Sequence, residues 1–286
     1  MNTFSFVIIG AGVMLRSSIK KIIEHNGIIK AIYVDNPADT KRYIDSYKVK
    51  ASSNLNTDLE FLKGSIDECT WLLSVDNKKI ITSEVLSLFK NRAINFHPGI
   101  LPYYRGLYCY QWAVFNGESN FAATIHFIEP EVDEGDIVIE KAFSIEKEDT
   151  GLNVYQKSIK YGNQAINEVL TRIFNEIELP RMPQRFSPKN IYCRANPFNI
   201  EINWEKPSDQ ILNSLRACNF YPLTPPAFQM CYMGSKVLKG KNLMIKTDKK
   251  PGTVIDVNQA KIQIVTGDRV VIEIHLDVKS KKVKKI

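Results

Sequence analysis

Short apolar runs alternate with segments of helical spacing in the first half of the chain. The apolar runs predict four buried strands, at Phe4–Ile9, Ile29–Val34, Trp71–Val75 and Ala93–His97. The segments between them predict helices at Val13–Glu24, Asp39–Tyr47 and Thr82–Lys90, the last with Thr82 as its N-cap. Strands that alternate with helices form crossover units, which indicates a parallel sheet covered by helices on both faces.

The second half of the chain continues this pattern and then changes character. It predicts a helix at Tyr108–Asn116, strands at Phe121–Ile128 and Ile137–Phe143, and a long helix over about Leu152–Ile177. Prolines then mark a linker, and Pro207–Ala217 predicts a short helix. Beyond Tyr232 the pattern is all-β, and KIQIVTGDRVVIEIHL alternates around a turn at Gly267 and Asp268, which is typical of a hairpin.

These patterns predict two domains of different class. The first is an α/β domain over residues 1–178, Rossmann-like, with a doubly wound, mainly parallel sheet. Residues 179–206 form the linker, and residues 207–286 form a small, mainly-β (OB-like) domain. A chain of 286 residues is long enough for two such cores.

Composition narrows the class of protein. An apolar fraction of 44% with 24% charged residues is typical of a globular chain, and no apolar run approaches a membrane span. The amino terminus lacks a basic segment before its apolar run, so we expect a cytoplasmic protein. The net charge is +7, but the last eight residues hold five lysines and no acid, which leaves the rest nearly neutral. The five cysteines are scattered, which favours reduced thiols over a disulfide framework or zinc site.

Three motifs are candidates for a functional site. Gly10-x-Gly12 lacks a third glycine, so it favours a tight turn over a dinucleotide site. Five acids between Glu129 and Asp136 suit either a solvated loop or a hard cation. Asn95 and His97 are two residues apart on a predicted strand, so their side chains point the same way at its carboxyl end, where parallel sheets bind ligands.

The segment INFHPGILPYYRGLYCYQWAVFNGE, followed after a strand by VDEGDIV, resembles the formyltransferases that use 10-formyltetrahydrofolate. In that family the N-x-H-P strand end and the first aspartate of the D-x-G-D loop form the catalytic triad, which implies Asn95, His97 and Asp133 here. The resemblance implies that Asn95 and His97 serve a developing oxyanion and that Asp133 orients His97 and raises its pKa. The reaction that the resemblance implies requires neither a protein nucleophile nor a metal.

The resemblance also implies a folate site. In the family, the pterin lies against the segment that precedes the helix before the catalytic strand, with the aspartate loop on its other side. The residues expected to bind the folate co-substrate are Lys78, Lys79, Ile80, Ile81, Ile128 and Asp136. The two isoleucines of that segment would wall the ring, and the lysine charges would reach solvent or the glutamate tail.

For the amine that accepts the formyl group, the sequence favours a nucleotide-linked amino deoxysugar, dTDP- or UDP-linked, used in surface-polysaccharide (O-antigen) synthesis. Aromatic residues crowd the loop after His97, and residues 216–228 resemble a stretch that helps hold the nucleotide base in sugar N-formyltransferases. The expected substrate contacts are Tyr104, Arg105, Asn219, Phe220 and Tyr221. Packing between domains is an equal interpretation of the later stretch.

Two alternatives stay open. The β domain and the lysine tail favour methionyl-tRNA formyltransferase as one alternative. Against it, the segment after the second predicted strand lacks the basic cluster that RNA contacts need. An RNA-binding module with a vestigial site is the alternative from another class. Glycinamide ribonucleotide is the least favoured acceptor. We expect a small-molecule substrate with no nucleic-acid or membrane partner, and a homodimer is one assembly that the resemblance allows.

Overall fold

The computed structural model describes residues 3–34, 41, 43, 45–47, 49–184, 191–192, 199–220, 223, 229–233, 235–258 and 260–277. The chain divides into two compact units. Unit 1 comprises Met1–Gly106, Ala122–Phe143 and Lys157–Ile191, and unit 2 comprises Leu107–Phe121, Ser144–Gln156 and Tyr192–Ile286. The domain boundaries at residues 178 and 206 stay a prediction.

Unit 1 is built on a seven-stranded sheet. Its strands are β1 (Ser5–Gly10), β2 (Ile28–Val34), β3 (Lys50–Ser52), β4 (Thr70–Val75), β5 (Ala93–His97), β7 (Asn120–Phe127) and β8 (Ile137–Ser144), with a two-residue strand β6 (Arg105–Gly106) before β7. The order is β3-β2-β1-β4-β5-β7-β8. Strands β1 to β5 pair in parallel, and β7 pairs antiparallel with β5.

Helices cover both faces of this sheet, because alternate residues of each strand point to opposite sides. On one face, Phe6, Ile8 and Phe96 pack with apolar residues of α1 (Gly12–Glu24) and the long helix α5 (Gly151–Phe174). On the other face, the core contains Val7 and Ile9 with residues of α2 (Leu59–Ser65) and α3 (Ser83–Leu88). A 3-10 turn, Leu55–Thr57, precedes α2. The predicted doubly wound α/β fold is confirmed.

The turn between β1 and α1 is as tight as its glycines predict. Gly10 has φ +154°, and a Cβ there would lie 1.8 Å from the carbonyl oxygen of Val75. Gly12 has φ +61°, a left-handed conformation that side chains disfavour. Gly10-x-Gly12 therefore has a sufficient structural reason.

Unit 2 contains a six-stranded sheet of order β10-β11-β12-β15-β14-β13. Its strands are β10 (Asn199–Glu201), β11 (Gln229–Tyr232), β12 (Ser235–Lys246), β13 (Val254–Asn258), β14 (Lys261–Val265) and β15 (Val270–Leu276), preceded by the two-residue strand β9 (Ile191–Tyr192). The pairs from β11 to β13 are antiparallel, including the predicted β14–β15 hairpin. Among its described residues, the unit also contains the helices α4 (Cys109–Asn116) and α6 (Ser208–Ala217) and the first residues of α5. A separate, mainly-β domain is confirmed.

Most predicted elements agree with the structure to within a few residues. Thr82 is the N-cap of α3, and its hydroxyl accepts a hydrogen bond from the Val85 N–H at 3.5 Å. The long helix ends at Phe174, earlier than predicted, and Glu176 beyond it has φ +56°. The predicted helix Asp39–Tyr47 lies partly outside the described residues, while residues 41, 43 and 45–47 are helical. Across the described part of the chain, every helix is too short or too polar to cross a membrane.

Candidate active site

The end of strand β5 carries two of the predicted site residues. Asn95 and His97 alternate with Ile94 and Phe96, whose side chains enter the core on the α1–α5 face of the sheet. The register of β5 with β7 places Asn95 opposite His126 and His97 opposite Thr124. A second imidazole therefore lies beside the predicted pair, with the His97 and His126 ring centroids 6.3 Å apart.

His97 is buried between two oxygen acceptors. Its Nε2 lies 2.5 Å from the carbonyl oxygen of Tyr104, and its Nδ1 lies 3.4 Å from Oδ2 of Asp133. Because a carbonyl only accepts, the proton of the neutral ring belongs on Nε2, and Nδ1 presents its lone pair to the carboxylate. Burial lowers the pKa of His97 below its ordinary value, and this effect outweighs the opposing charge of Asp133.

The third predicted residue, Asp133, comes to the same place from the loop between β7 and β8. Its Oδ2 accepts a hydrogen bond from the Gly106 N–H at 2.8 Å, and its Oδ1 lies 3.3 Å from Nε2 of His126. Burial raises the pKa of the Asp133 carboxyl, but His97, His126 and the Gly106 N–H together hold it well below its ordinary value. Asp133 is therefore an ionised carboxylate at neutral pH.

His126 is a site residue that the sequence reasoning missed. Its Nδ1 lies 2.7 Å from the carbonyl oxygen of Phe127, so the neutral ring donates there and accepts at Nε2. The Asn95 amide nitrogen lies 3.1 Å from that Nε2, which directs the NH₂ group of Asn95 toward the ring. The second N–H of the amide then points elsewhere in a fixed plane. The same Nε2 therefore serves two partners in turn: in the neutral ring it accepts from the Asn95 amide, and in the protonated ring its N–H can donate to Oδ1 of Asp133, which is one of the contacts that lower the pKa of that carboxyl.

The segment predicted to hold the folate is organised by asparagine side chains. Asn77 donates to the carbonyl of Lys79 and accepts from its N–H, and Asn56 donates to the carbonyl of Ile80. Lys78, Lys79 and Ile80 are exposed. Ile80, with 68% of its surface exposed, is a large apolar side chain held outward on a defined backbone.

The other predicted folate residues are partly built into unit 1. Ile81 is buried in the core beside α3, and Ile128 packs against the same core from the start of the aspartate loop. Asp136 lies 3.5 Å from the Arg181 guanidinium, which stacks on the Phe127 ring at 3.6 Å. Their roles toward a folate stay predictions.

The residues predicted to contact the substrate fall in different places. In unit 1, the Tyr104 side chain is buried, and the buried Arg105 forms an ion pair with Glu134. In unit 2, Asn219 follows α6, and Phe220 is buried with its ring centroid 6.1 Å from that of Tyr110. Tyr221 lies outside the described residues. Their roles toward a substrate stay predictions.

The cluster contains the groups that acyl transfer to an amine requires. Asn95 supplies an oriented N–H donor for an oxygen on which negative charge develops. Asp133 supplies an ionised acceptor, and His97 supplies a basic nitrogen, Nδ1, in contact with it. No serine, threonine or cysteine side chain takes part in the contacts described for these four residues.

Comparison with known proteins assigns the sequence to a family. Residues 29–170 match the family model described as formyl transferase, and residues 196–286 match the one described as formyl transferase, C-terminal domain. The methionyl-tRNA formyltransferase of Clostridium tetani (strain Massachusetts / E88) is 27% identical over 244 residues, which cover 83% of this chain and 76% of that protein.

Two solved structures share the fold at 20% identity and a TM-score of 0.74. One is the N-formyltransferase from Helicobacter canadensis in complex with folinic acid and dTDP-3-aminofucose, matched over 96% of this chain and 100% of that one. The other is WlaRD, a sugar 3N-formyl transferase in the presence of dTDP and 5-N-formyl-THF, matched over 100% of both chains.

Proposed function

Since this chain belongs to the formyl transferase family and is a formyl-transferring enzyme, we propose that its acceptor is the amine of a dTDP- or UDP-linked amino deoxysugar. The formyl donor in this proposal is 10-formyltetrahydrofolate. The observation that carries the proposal is the meeting of Asn95, His97 and Asp133 at one end of β5. An amide donor, a basic nitrogen and an ionised carboxylate there suit transfer of a formyl group to an amine.

Likeness to two solved structures favours the sugar acceptor. The chain matches both sugar N-formyltransferase structures over at least 96% of its own length, with a TM-score of 0.74. The ligands of the two solved structures, a folate with dTDP or a dTDP-sugar, support a folate donor and a nucleotide-linked acceptor here. The product would enter surface-polysaccharide synthesis in the cytoplasm.

Each side chain of the cluster has a separate part in the proposed reaction. The Asn95 N–H that does not face His126 donates to the formyl oxygen as negative charge develops on it. His97 takes up the proton that the attacking amine releases, at Nδ1, because the resulting imidazolium would donate both to the ionised Asp133 and to the Tyr104 carbonyl. It can then return this proton to the donor nitrogen as the bond between that nitrogen and the formyl carbon breaks.

The segment before α3 suits a flat apolar ring. Ile80 presents its exposed side chain on a backbone that Asn56 and Asn77 hold, so a ring can pack there without first ordering the loop. When bound, the folate supplies the formyl group. Lys78 and Lys79, exposed beside Ile80, suit the carboxylates of its glutamate tail.

Methionyl-tRNA is the second candidate acceptor, because the Clostridium tetani relative is 27% identical over 83% of this chain. The two acceptors differ most in charge. A tRNA needs many phosphate contacts, so its formylation should weaken steeply with salt, whereas a nucleotide sugar carries few charges. Salt dependence therefore separates the two candidates even if both are turned over.

The test is a panel assay of the purified chain with 10-formyltetrahydrofolate. The acceptors are dTDP- and UDP-linked 3-amino and 4-amino deoxyhexoses, with charged initiator tRNA as the competing acceptor. We expect formylation of at least one nucleotide sugar, with a kcat/KM well above that for tRNA at moderate salt. Turnover of the tRNA alone would replace the proposal with its second candidate.

A further inference from the structure

The backbone conformation of Asp133 needs support from neighbouring residues. Its φ is +54°, in the left-handed region that residues other than glycine rarely adopt. It also lies in a loop, so the register of the sheet does not place it. Two residues on, a Cβ at Gly135 would lie 2.0 Å from the carbonyl oxygen of Phe127, so the loop passes close over the end of β7.

A glutamine from a distant part of the chain spans this loop. The Nε2 of Gln184 donates to the carbonyl oxygens of Asp133 at 2.9 Å and of Gly135 at 2.7 Å. Its Oε1 accepts from the Arg105 guanidinium at 3.3 Å. A carbonyl only accepts and a guanidinium only donates, so this amide has one orientation that satisfies all three partners.

Arg105 ties the same loop a second time. It is buried and pairs with Glu134, the residue between the two carbonyls that Gln184 binds. The backbone following Arg105, at the Gly106 N–H, donates to the Asp133 carboxylate. Gln184, Arg105 and the Gly106 N–H therefore hold the three consecutive loop residues Asp133, Glu134 and Gly135 from outside the loop.

We propose that Gln184 is a positioning residue for the formyl-transfer reaction. Its amide donates to the carbonyls of Asp133 and Gly135 and so holds the Asp133 carboxylate against His97 and His126. This inference rests on the proposed function of the Asp133 cluster. Gln184 does not touch the reacting atoms. It acts through the backbone of the loop, and Arg105 keeps its amide in the donating orientation.

Two substitutions separate the hydrogen bonds to the two carbonyls from the contact with Arg105. Gln184→Met keeps the length of the side chain and removes every hydrogen bond. Gln184→Glu keeps an acceptor for Arg105 but turns a carboxylate oxygen toward the two carbonyls, which it cannot bind. Gln164→Met, at an exposed position of α5, is the matched control.

The first measurement follows the imidazole nitrogens of His97 and His126 by NMR in the full chain without folate or acceptor, assigned with His97→Gln and His126→Phe. We expect Gln184→Met and Gln184→Glu to shift both sets of resonances, because the Asp133 charge moves, and Gln164→Met to leave them in place. Unchanged imidazole resonances in Gln184→Met would overturn the inference, as would a Gln184→Glu chain that matches the unaltered one.

The second measurement is turnover with the acceptor found in the panel assay. We expect kcat to fall about tenfold in both Gln184 variants at nearly constant acceptor KM and melting temperature, since both lose the two hydrogen bonds that position the loop. A fall in melting temperature with unchanged kcat would make Gln184 merely structural. If the imidazoles shift but no tested amine is formylated by any chain, the positioning of Asp133 stands and the proposed function fails.

Discussion

Two parts of the site are held in place by different means. Asn95 and His97 belong to β5, where pairing with β4 and β7 fixes their backbone and alternation fixes their direction. Asp133 belongs to a loop with a left-handed residue at its critical position, and side chains outside the loop must hold it. Sheet pairing therefore fixes Asn95 and His97, whereas the position of the Asp133 carboxylate depends on a few side-chain contacts that single substitutions can remove.

The largest effect is expected on the strand side. His97→Gln removes the imidazole between Asp133 and the Tyr104 carbonyl, and we expect kcat to fall about 10³-fold with the fold retained, because the basic nitrogen is lost. Steady-state kinetics and circular dichroism measure this. The control is His25→Gln, which alters the histidine that caps α1. Near-normal turnover in His97→Gln would remove His97 from the mechanism.

A change of backbone space next to His97 should have the second largest effect. A Cβ at Gly99 would lie 2.4 Å from Nε2 of His97 and 3.0 Å from the Tyr104 carbonyl oxygen. Gly99→Ala should therefore displace the ring and lower kcat about 10²-fold. Gly64→Ala is the control, since a Cβ there meets nothing within 4 Å. Equal kcat for the two variants would show that the ring position tolerates this displacement.

His126 connects the strand and loop sides, so its loss tests whether they act together. His126→Phe keeps a buried ring but removes the acceptor for the Asn95 amide and the contact to Asp133. We expect kcat to fall about tenfold, as for the loss of one hydrogen bond. In an Asn95→Ala background the same change should lower kcat by a smaller factor, because the amide that His126 orients is absent. Fully additive effects would mean that His126 does not act through Asn95.

The smallest effect is a shift in pH dependence. Burial lowers the pKa of His97 below 6.5, so the form with a free Nδ1 lone pair persists below that pH and the acid limb of kcat/KM should lie there. The Asp133 charge raises the pKa of His97, so the residual activity of Asp133→Asn should show its acid limb at still lower pH. A shift in the opposite direction would contradict this coupling. In His126→Phe the acid limb of kcat/KM should move to higher pH, because the charge of His126 lowers the pKa of His97.

The strand side of the site was predictable from sequence, and much of the loop side was not. The run AINFH alternates apolar and polar residues at the end of a buried strand, and this pattern predicts both the strand and the shared direction of Asn95 and His97. Only the resemblance to a family motif identifies Asp133, because loop geometry leaves no periodic signal in the sequence. The strand pattern says nothing of what holds it.

The two residues that sequence reasoning missed show why. His126 lies within the apolar run FAATIHF, and only the register with β5 places it opposite Asn95. Gln184 lies in a proline-rich stretch, and its partner Asp133 is 51 positions away. Both depend on pairings between distant segments, which local patterns do not contain. The pairing of β7 with β5, known in advance, would have revealed His126.

The make-up of unit 2 bears on how such enzymes can be recombined. Its helix α6 packs against α4, an insertion from the middle of the chain, and a Cβ at Gly117 after α4 would lie 2.7 Å from the Asn213 amide. A chimaera joined once, in the stretch between residues 170 and 196, would pair one parent's α6 with the other parent's α4. Exchange of this unit between relatives therefore requires three transplanted stretches, and evolution by simple domain shuffling would meet the same barrier.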